Sequence, residues 1–275
     1  MAPFSNIRAL IIDMDGVLWH GEQPLPGLIE FFQTLRELQI PFILATNNAR
    51  QTQDQYVTKL ASMGVRVDPK EILTSAMATA LYLAEQNNPA QTRVFVIGES
   101  GATEPLLERG FTLTDINDVN NGEKKGADIV VCGLDKTLTW NKLATATSYI
   151  RAGAQFIGTN GDVTLPTEHG FAPGNGAILA ALQAATGVAP TIIGKPEPIM
   201  YQQAIAQLGV NSADTVAIGD RLDTDILGAV RAGIRSLMVL TGVSTEEDVK
   251  SIDYEPTWIM PDIRDVTHAL RHNHL

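Results

Sequence analysis

Nine short apolar runs recur along the chain, with longer segments of helical spacing between them. They are RALIID (8–13), PFILAT (41–46), RVFVIG (93–98), DIVVCG (128–133), QFIGTN (155–160), TIIG (191–194), TVAIGD (215–220), SLMVLTG (236–242) and TWIM (257–260). Each is short enough to be a buried strand rather than a helix. Between the first two, GLIEFFQTLREL places Leu28, Phe31, Phe32 and Leu35 on one helical face. TLTWNKLATATSYI repeats that spacing with Leu138, Leu143 and Ala146. Apolar strands alternating with amphipathic helices mark βαβ units, so the expected fold class is α/β with a Rossmann-like parallel sheet.

Two turn-prone stretches interrupt this pattern. AEQNNPAQTR (84–93) is polar with Pro89 near its centre, and ATGVAPT (185–191) brings glycine and proline close together. About a hundred residues lie between them, with strands and helices of their own, enough for a second domain. The expected organisation is a core built from residues 1–87 and 190–275, interrupted by an inserted α/β domain at 88–189.

Composition narrows the function. With 275 residues, 44% of them hydrophobic, the chain can bury a substantial core. A net charge of −11 argues against a nucleic-acid polymer or an anionic membrane as partner. It leaves room for a phosphate-bearing ligand, because a local cation reverses the field in one pocket. No apolar stretch approaches the length of a membrane span. MAPFSNIRA lacks a basic start, an apolar h-region and a cleavage site, so a cytoplasmic location is expected. The one cysteine, Cys132, sits inside an apolar run and is expected to be a buried structural thiol.

In open parallel sheets, ligands bind outside the carboxyl ends of the strands. Four run ends in the proposed core carry unusual groups: Asp13 and Asp15; Thr46, Asn47 and Asn48; Lys195; and Asp220 with Asp223 and Asp225. Each has an ordinary alternative. DMDG can be a turn whose aspartates cap backbone amides, and ATNN the N-cap of a helix starting near Ala49. GKPEP can be an exposed loop, and GDRLDTD an acidic helix N-terminus. Their conjunction is harder to dismiss. Carboxylates sharing one rim repel each other unless a hard divalent cation sits among them, and oxygen-only ligation with few protein donors suits Mg²⁺. A lysine, a hydroxyl and a side-chain amide supply donors for a phosphoryl group.

DMDGVL, the threonine of ATNN, the lysine of GKP and GDRLDTD together resemble, in order, the four motifs of the haloacid dehalogenase (HAD) superfamily. GADIVVCGLDKTLTWNKL, GTNGD, PGNGAILAAL and GDRLDTDILGAVRAGI resemble its NagD-like, 4-nitrophenyl phosphatase branch. The resemblance implies a phosphomonoesterase with Asp13 as nucleophile and Asp15 as acid/base. It implies Mg²⁺ held by the Asp13 carboxylate, the Asp15 main-chain carbonyl and Asp220, with Asp225 orienting those ligands. Thr46 and Asn47 would bind the phosphoryl oxygens, with Asn48 beside them, and Lys195 would offset the charge between Asp13 and phosphate. An aspartate at position 15 disfavours dehalogenation; the alternatives are a mutase-like phosphotransferase and a non-catalytic phosphometabolite-binding regulator.

The inserted domain resembles the α/β cap of this branch, which restricts access and sets specificity, so a small phosphorylated metabolite is the expected partner. Asn160, Asp162, Leu165, Glu168 and His169 are the specificity candidates. A leucine at 165, where pyridoxal phosphate phosphatases tend to have a histidine, weakens that substrate assignment. Caps of this branch often mediate dimers, which makes a homodimer through the cap one option. Met14 is expected to point into the core, Trp19 and His20 to pack rather than line the entrance, and the terminal HALRHNHL to be a solvated tail.

Overall fold

A computed structural model describes residues 7–116, 126–167 and 170–273. The first stretch of chain runs through β1 (Ala9–Ile12), a ribbon of β2 (Trp19–His20) and β3 (Gln23–Pro24), α1 (Leu28–Glu37), β4 (Phe42–Thr46), α2 (Gln53–Ser62) and β5 (Ile72–Thr74). The middle stretch holds α3 (Ser75–Gln86), β6 (Arg93–Ile97), α4 (Ser100–Glu108), β7 (Thr112–Thr114), β8 (Ile129–Cys132) and α5 (Trp140–Arg151). It continues through β9 (Gln155–Gly158), β10 (Thr164–Thr167), β11 (Gly170–Pro173), α6 (Asn175–Thr186) and β12 (Thr191–Ile192). The last stretch adds α7 (Pro198–Leu208), β13 (Thr215–Gly219), α8 (Leu227–Ala232), β14 (Arg235–Val239), α9 (Glu246–Val249), β15 (Trp258–Met260) and α10 (Ile263–Asn273). Every one of the nine apolar runs holds all or most of a strand. The strands that the pattern does not announce have at most four residues each, such as TLT in β7 and TLPT in β10.

The chain divides into two compact units. One comprises Met1–Thr46, Gln53–Leu73 and Lys195–Leu275; the other comprises Asn47–Thr52 and Thr74–Gly194. The polar stretch at 84–93 is thus the link from α3 to β6 within the second unit, not a border between units. The reason is packing: Ala76 of α3 and Ala102 of α4 are both buried in one small cluster with Ala49. Residues 185–191 likewise connect α6 to β12 inside that unit.

The sheet of the first unit has the order β15-β14-β13-β1-β4-β5. Strand β1 pairs in parallel with β13 and with β4, and β13, β14 and β15 continue in parallel. Successive strands run one way from β1 through β4 to β5, and the other way from β13 through β14 to β15. The order therefore reverses between β1 and β13, and the crevice beyond their carboxyl ends is where such sheets bind ligands. Along β1 the pleat alternates. Leu10, Ile12 and Met14 enter the cluster formed with Leu28, Phe31, Phe32 and Leu35 of α1 and with Ile263, Val266 and Leu270 of α10. Met14 and Trp19 are fully buried there, as their positions suggest.

In the second unit the order is β12-β9-β8-β6-β7, with parallel pairing throughout. Its core gathers Phe95, Val130, Cys132, Ala146, Tyr149, Phe156 and Leu182, with Leu138 and Leu143 packed against it. Cys132 is fully buried, and burial pushes its thiol far above the ordinary range, as befits a structural residue. Among the described residues no helix is long and apolar enough to cross a membrane.

Candidate active site

Asp13 is the first residue beyond β1, and its backbone N–H donates to Ile218 O on β13 at 2.8 Å. Lys195 enters the same crevice from the turn before α7 and is 3% exposed, so the alternative of an exposed loop lysine falls. Its ammonium donates to Asp13 Oδ1, to Ala45 O at 3.0 Å and to Asp225 Oδ1 at 2.7 Å, giving its three N–H groups three acceptors. Burial lowers the lysine's affinity for its proton, but Asp13 and Asp225 outweigh it and hold the pKa well above the usual value. Burial pushes the Asp13 carboxyl well above the usual carboxylate range; Lys195 opposes this, and Asp225 and Asp220 add to it.

Asp220 leaves the end of β13. Its Oδ2 accepts the Val243 N–H at 2.7 Å, and its main-chain oxygen accepts the Ser244 N–H at 3.1 Å. Oδ1 is buried and has no hydrogen-bond partner among the described residues. Two glycines let the carboxylate lie where it does. A Cβ on Gly242 would stand 1.8 Å from Asp220 Oδ2, and one on Gly16 would stand 2.6 Å from it. Gly16 also has φ +83°, a conformation that side chains disfavour. Burial, reinforced by Asp225, pushes the Asp220 carboxyl up to about 7.

Asp225 is 2% exposed and fully engaged. Its Oδ1 accepts from Lys195, and its Oδ2 accepts from the backbone N–H groups of Asp220 and Arg221 at 3.3 and 3.1 Å. Tyr201 reaches it from α7, donating from its hydroxyl to Asp225 O at 2.9 Å. Asp223 points elsewhere: it is paired with Arg221 at 2.8 Å on the surface.

One oxygen from each of Asp13, Asp220 and Asp225 falls within 4.8 Å of the others. With both Asp225 oxygens already accepting hydrogen bonds, Asp13 and Asp220 are the carboxylates of this set that fit a hard divalent cation, and the unpartnered Asp220 Oδ1 is its clearest signature. Asp15 is exposed, and its Oδ1 accepts the Trp19 indole N–H at 2.8 Å. Thr46 is buried at the carboxyl end of β4.

Asn47 and Asn48 follow Thr46 in the chain but belong to the second unit. The helix expected near Ala49 starts at Gln53, so the N-cap alternative for ATNN falls; Asn48 Oδ1 instead closes a turn on the Arg50 N–H at 3.1 Å. The Asn47 amide donates to Asp162 Oδ2 at 3.2 Å, and its main-chain oxygen accepts from Asn160 Nδ2 at 2.9 Å and Ser75 Oγ at 2.8 Å. Asn160 is 4% exposed, so within this unit it braces the Asn47 loop. Leu165 is half-buried on β10, opposite Ala172, while Glu168 and His169 lie outside the described residues.

Sequence patterns left Thr241, Gly242 and Val243 unassigned, although the rule that collects polar residues beyond strand ends applies to β14 as well. Thr241 Oγ1 donates to Gly16 O at 2.6 Å, tying the β14 loop to the β1 loop over Asp220.

The family model described as haloacid dehalogenase-like hydrolase matches residues 10–112, and one described as HAD-hydrolase-like matches residues 192–266. An acid sugar phosphatase of Staphylococcus haemolyticus is 38% identical over 268 residues, 98% of each chain. A 4-nitrophenylphosphatase from Thermotoga maritima superposes with a TM-score of 0.88 at 33% identity, covering 96% of this chain and 98% of that one. A double mutant of a thermostable NPPase from Geobacillus stearothermophilus gives 0.85 at 39% identity, covering 95% and 98%. Lengthwise agreement at these identities leaves one conclusion: the chain belongs to the haloacid dehalogenase-like hydrolases, in their NagD-like branch, and is a phosphatase.

Proposed function

We propose that the protein hydrolyses small phosphometabolites, sugar phosphates foremost, through an aspartyl-phosphate on Asp13, with Mg²⁺ as cofactor. The observation that carries this is Asp13 held against the buried Lys195 beside the open oxygen of Asp220. The sugar-phosphate preference rests on the staphylococcal relative.

Asp13 attacks phosphorus in line as the bond from phosphorus to the leaving oxygen breaks, and Asp15 gives that oxygen its proton. Asp15 then takes a proton from water, which attacks the aspartyl-phosphate and releases phosphate. Thr46 and Asn47 hydrogen-bond the phosphoryl oxygens, with Asn48 closing their loop, and Lys195 offsets the charge between nucleophile and phosphate. The Asp13 carboxylate, the Asp15 main-chain carbonyl and Asp220 would hold the Mg²⁺, with Asp225 fixing Lys195 and the Asp220 backbone. Bound there, the ion would neutralise charge on the phosphoryl group and on the carboxylates. Apart from Asn47 and Asn48, every group given a chemical role belongs to the first unit.

Phosphate release from p-nitrophenyl phosphate and a panel of sugar phosphates tests this. Activity should require Mg²⁺, stop with EDTA and fall by at least about 1,000-fold in Asp13→Asn. Robust turnover by that variant would sink the nucleophile assignment.

A further inference from the structure

Resting on the phosphatase reading, we infer that Trp19 is a positioning residue for Asp15: its indole N–H fixes one carboxyl oxygen so that the other faces the leaving group. The indole nitrogen only donates, and it donates to Asp15 Oδ1 at 2.8 Å. An oxygen accepting that N–H does not also carry a proton directed along the same line. The carbonyl oxygen of a carboxylic acid is the better acceptor, so the indole N–H on Oδ1 favours the transferable proton on Oδ2. When the alcohol departs, the Asp15 Oδ2 proton moves to the leaving oxygen as the Asp13–phosphorus bond forms, and Asp15 is left as carboxylate.

Trp19 is well placed to act as a fixed anchor. Its side chain is fully buried in the main core although its partner Asp15 is exposed. The Trp19 carbonyl accepts the Gly16 N–H at 2.8 Å, so the loop between Asp15 and Trp19 is closed by backbone as well as by side chain. The ribbon that carries Trp19 is held in turn by α2. Lys59 Nζ lies 4.8 Å from the indole centroid and donates to Gly21 O at 2.7 Å and to Glu22 at 3.2 Å. An indole with a cation over its ring and its N–H on a carboxylate has little freedom to turn. Packing alone would explain the burial of the ring; it does not explain why the one polar atom is spent on Asp15.

The test compares leaving groups. Nitrophenolate departs without help from an acid, whereas the alkoxide of a sugar or of glycerol needs the proton. Because kcat/KM reports the first chemical step, it isolates Asp15 acting as acid. In Trp19→Phe, kcat/KM for glycerol 2-phosphate should fall about 10-fold or more while that for p-nitrophenyl phosphate changes less than about three-fold. In an Asp15→Asn background, Trp19→Phe should add nothing further for the alkyl substrate. Equal losses on both substrates, or no loss on either, would overturn the assignment. Should Trp19→Phe fail to fold, the parent protein decides. Of its three indole N–H signals by NMR, one should move upfield in Asp15→Ala, and three unmoved signals would overturn the proposal. A protein that hydrolyses neither substrate would remove the phosphatase reading itself, an outcome distinct from even losses in the variant.

Discussion

Gly242 shows how tightly the acidic cluster is built. It has no side chain, yet the space where its Cβ would lie is filled by Asp220, whose Oδ2 is 1.8 Å away. Gly242→Ala must therefore push the carboxylate off the Val243 N–H and out of register with Asp13. Groups that orient a metal ligand are commonly worth 10–100-fold in affinity or activity, so a loss of about that size is expected. A Mg²⁺ titration of activity checks it: the half-saturating concentration should rise. Unchanged Mg²⁺ dependence would mean that Asp220 does not ligate the ion. At this scale the sequence singled out Asp13, Asp15, Asp220 and Lys195 only in conjunction, because charge at the end of an apolar strand needs a reason. It was silent about Gly242, since a glycine's role is written in what stands next to it.

Among the elements, α6 offers a sharp case. Asn175 opens the helix and is 1% exposed, and its Nδ2 donates to Cys132 O at 3.0 Å and to Asn160 O at 2.8 Å. One side chain thus satisfies carbonyls at the ends of two neighbouring strands, β8 and β9. In Asn175→Ala, Cys132 O keeps the Thr159 N–H at 2.9 Å while Asn160 O loses the amide in a buried setting, and a loss of about 1–3 kcal/mol is expected. Urea denaturation should show a lower midpoint with an unchanged slope. A change below about 0.5 kcal/mol would mean that water or relaxed backbone replaces the amide. Element identity was legible wherever an apolar run was long enough to have a period. The α1 face of Leu28, Phe31, Phe32 and Leu35 is buried as its spacing demands. The three-residue strands β5 and β7 were not announced by any such run; they pair with β4 and β6, which offer them hydrogen bonds.

For the whole molecule, the buried carboxylates make stability depend on pH and on metal together. The Asp220 pKa of about 7 lies above its ordinary 3.8, so folding takes up a proton between those values. Below about pH 4 both states are protonated, and the favourable contribution is complete. As pH rises toward and through 7, the folded chain loses that proton and the contribution fades. Asp13 is shifted the same way. A divalent cation competes with those protons, so Mg²⁺ should raise Tm more at about pH 8 than at about pH 5. Asp220→Asn should abolish most of the difference. A Mg²⁺ effect that is the same at both pH values would contradict a site built on these carboxylates.

The sequence by itself determined the alternation of strand and helix, the buried faces and the strand ends that bear charge. Each depends on residues close in the chain, where a period of two or 3.6 leaves a visible trace. The division into units required the folded chain. AEQNNPAQTR looks like a linker, yet α3 before it packs on α4 after it, and a turn says nothing about what its flanks touch. Only tertiary structure decided that Asp225 is buried on Lys195 while Asp223, two residues earlier, is an exposed partner of Arg221. Only it seated Gly16 and Gly242 against one carboxylate. Those distinctions arise between residues tens to hundreds of positions apart, and the local pattern that a sequence displays cannot encode which of them will meet.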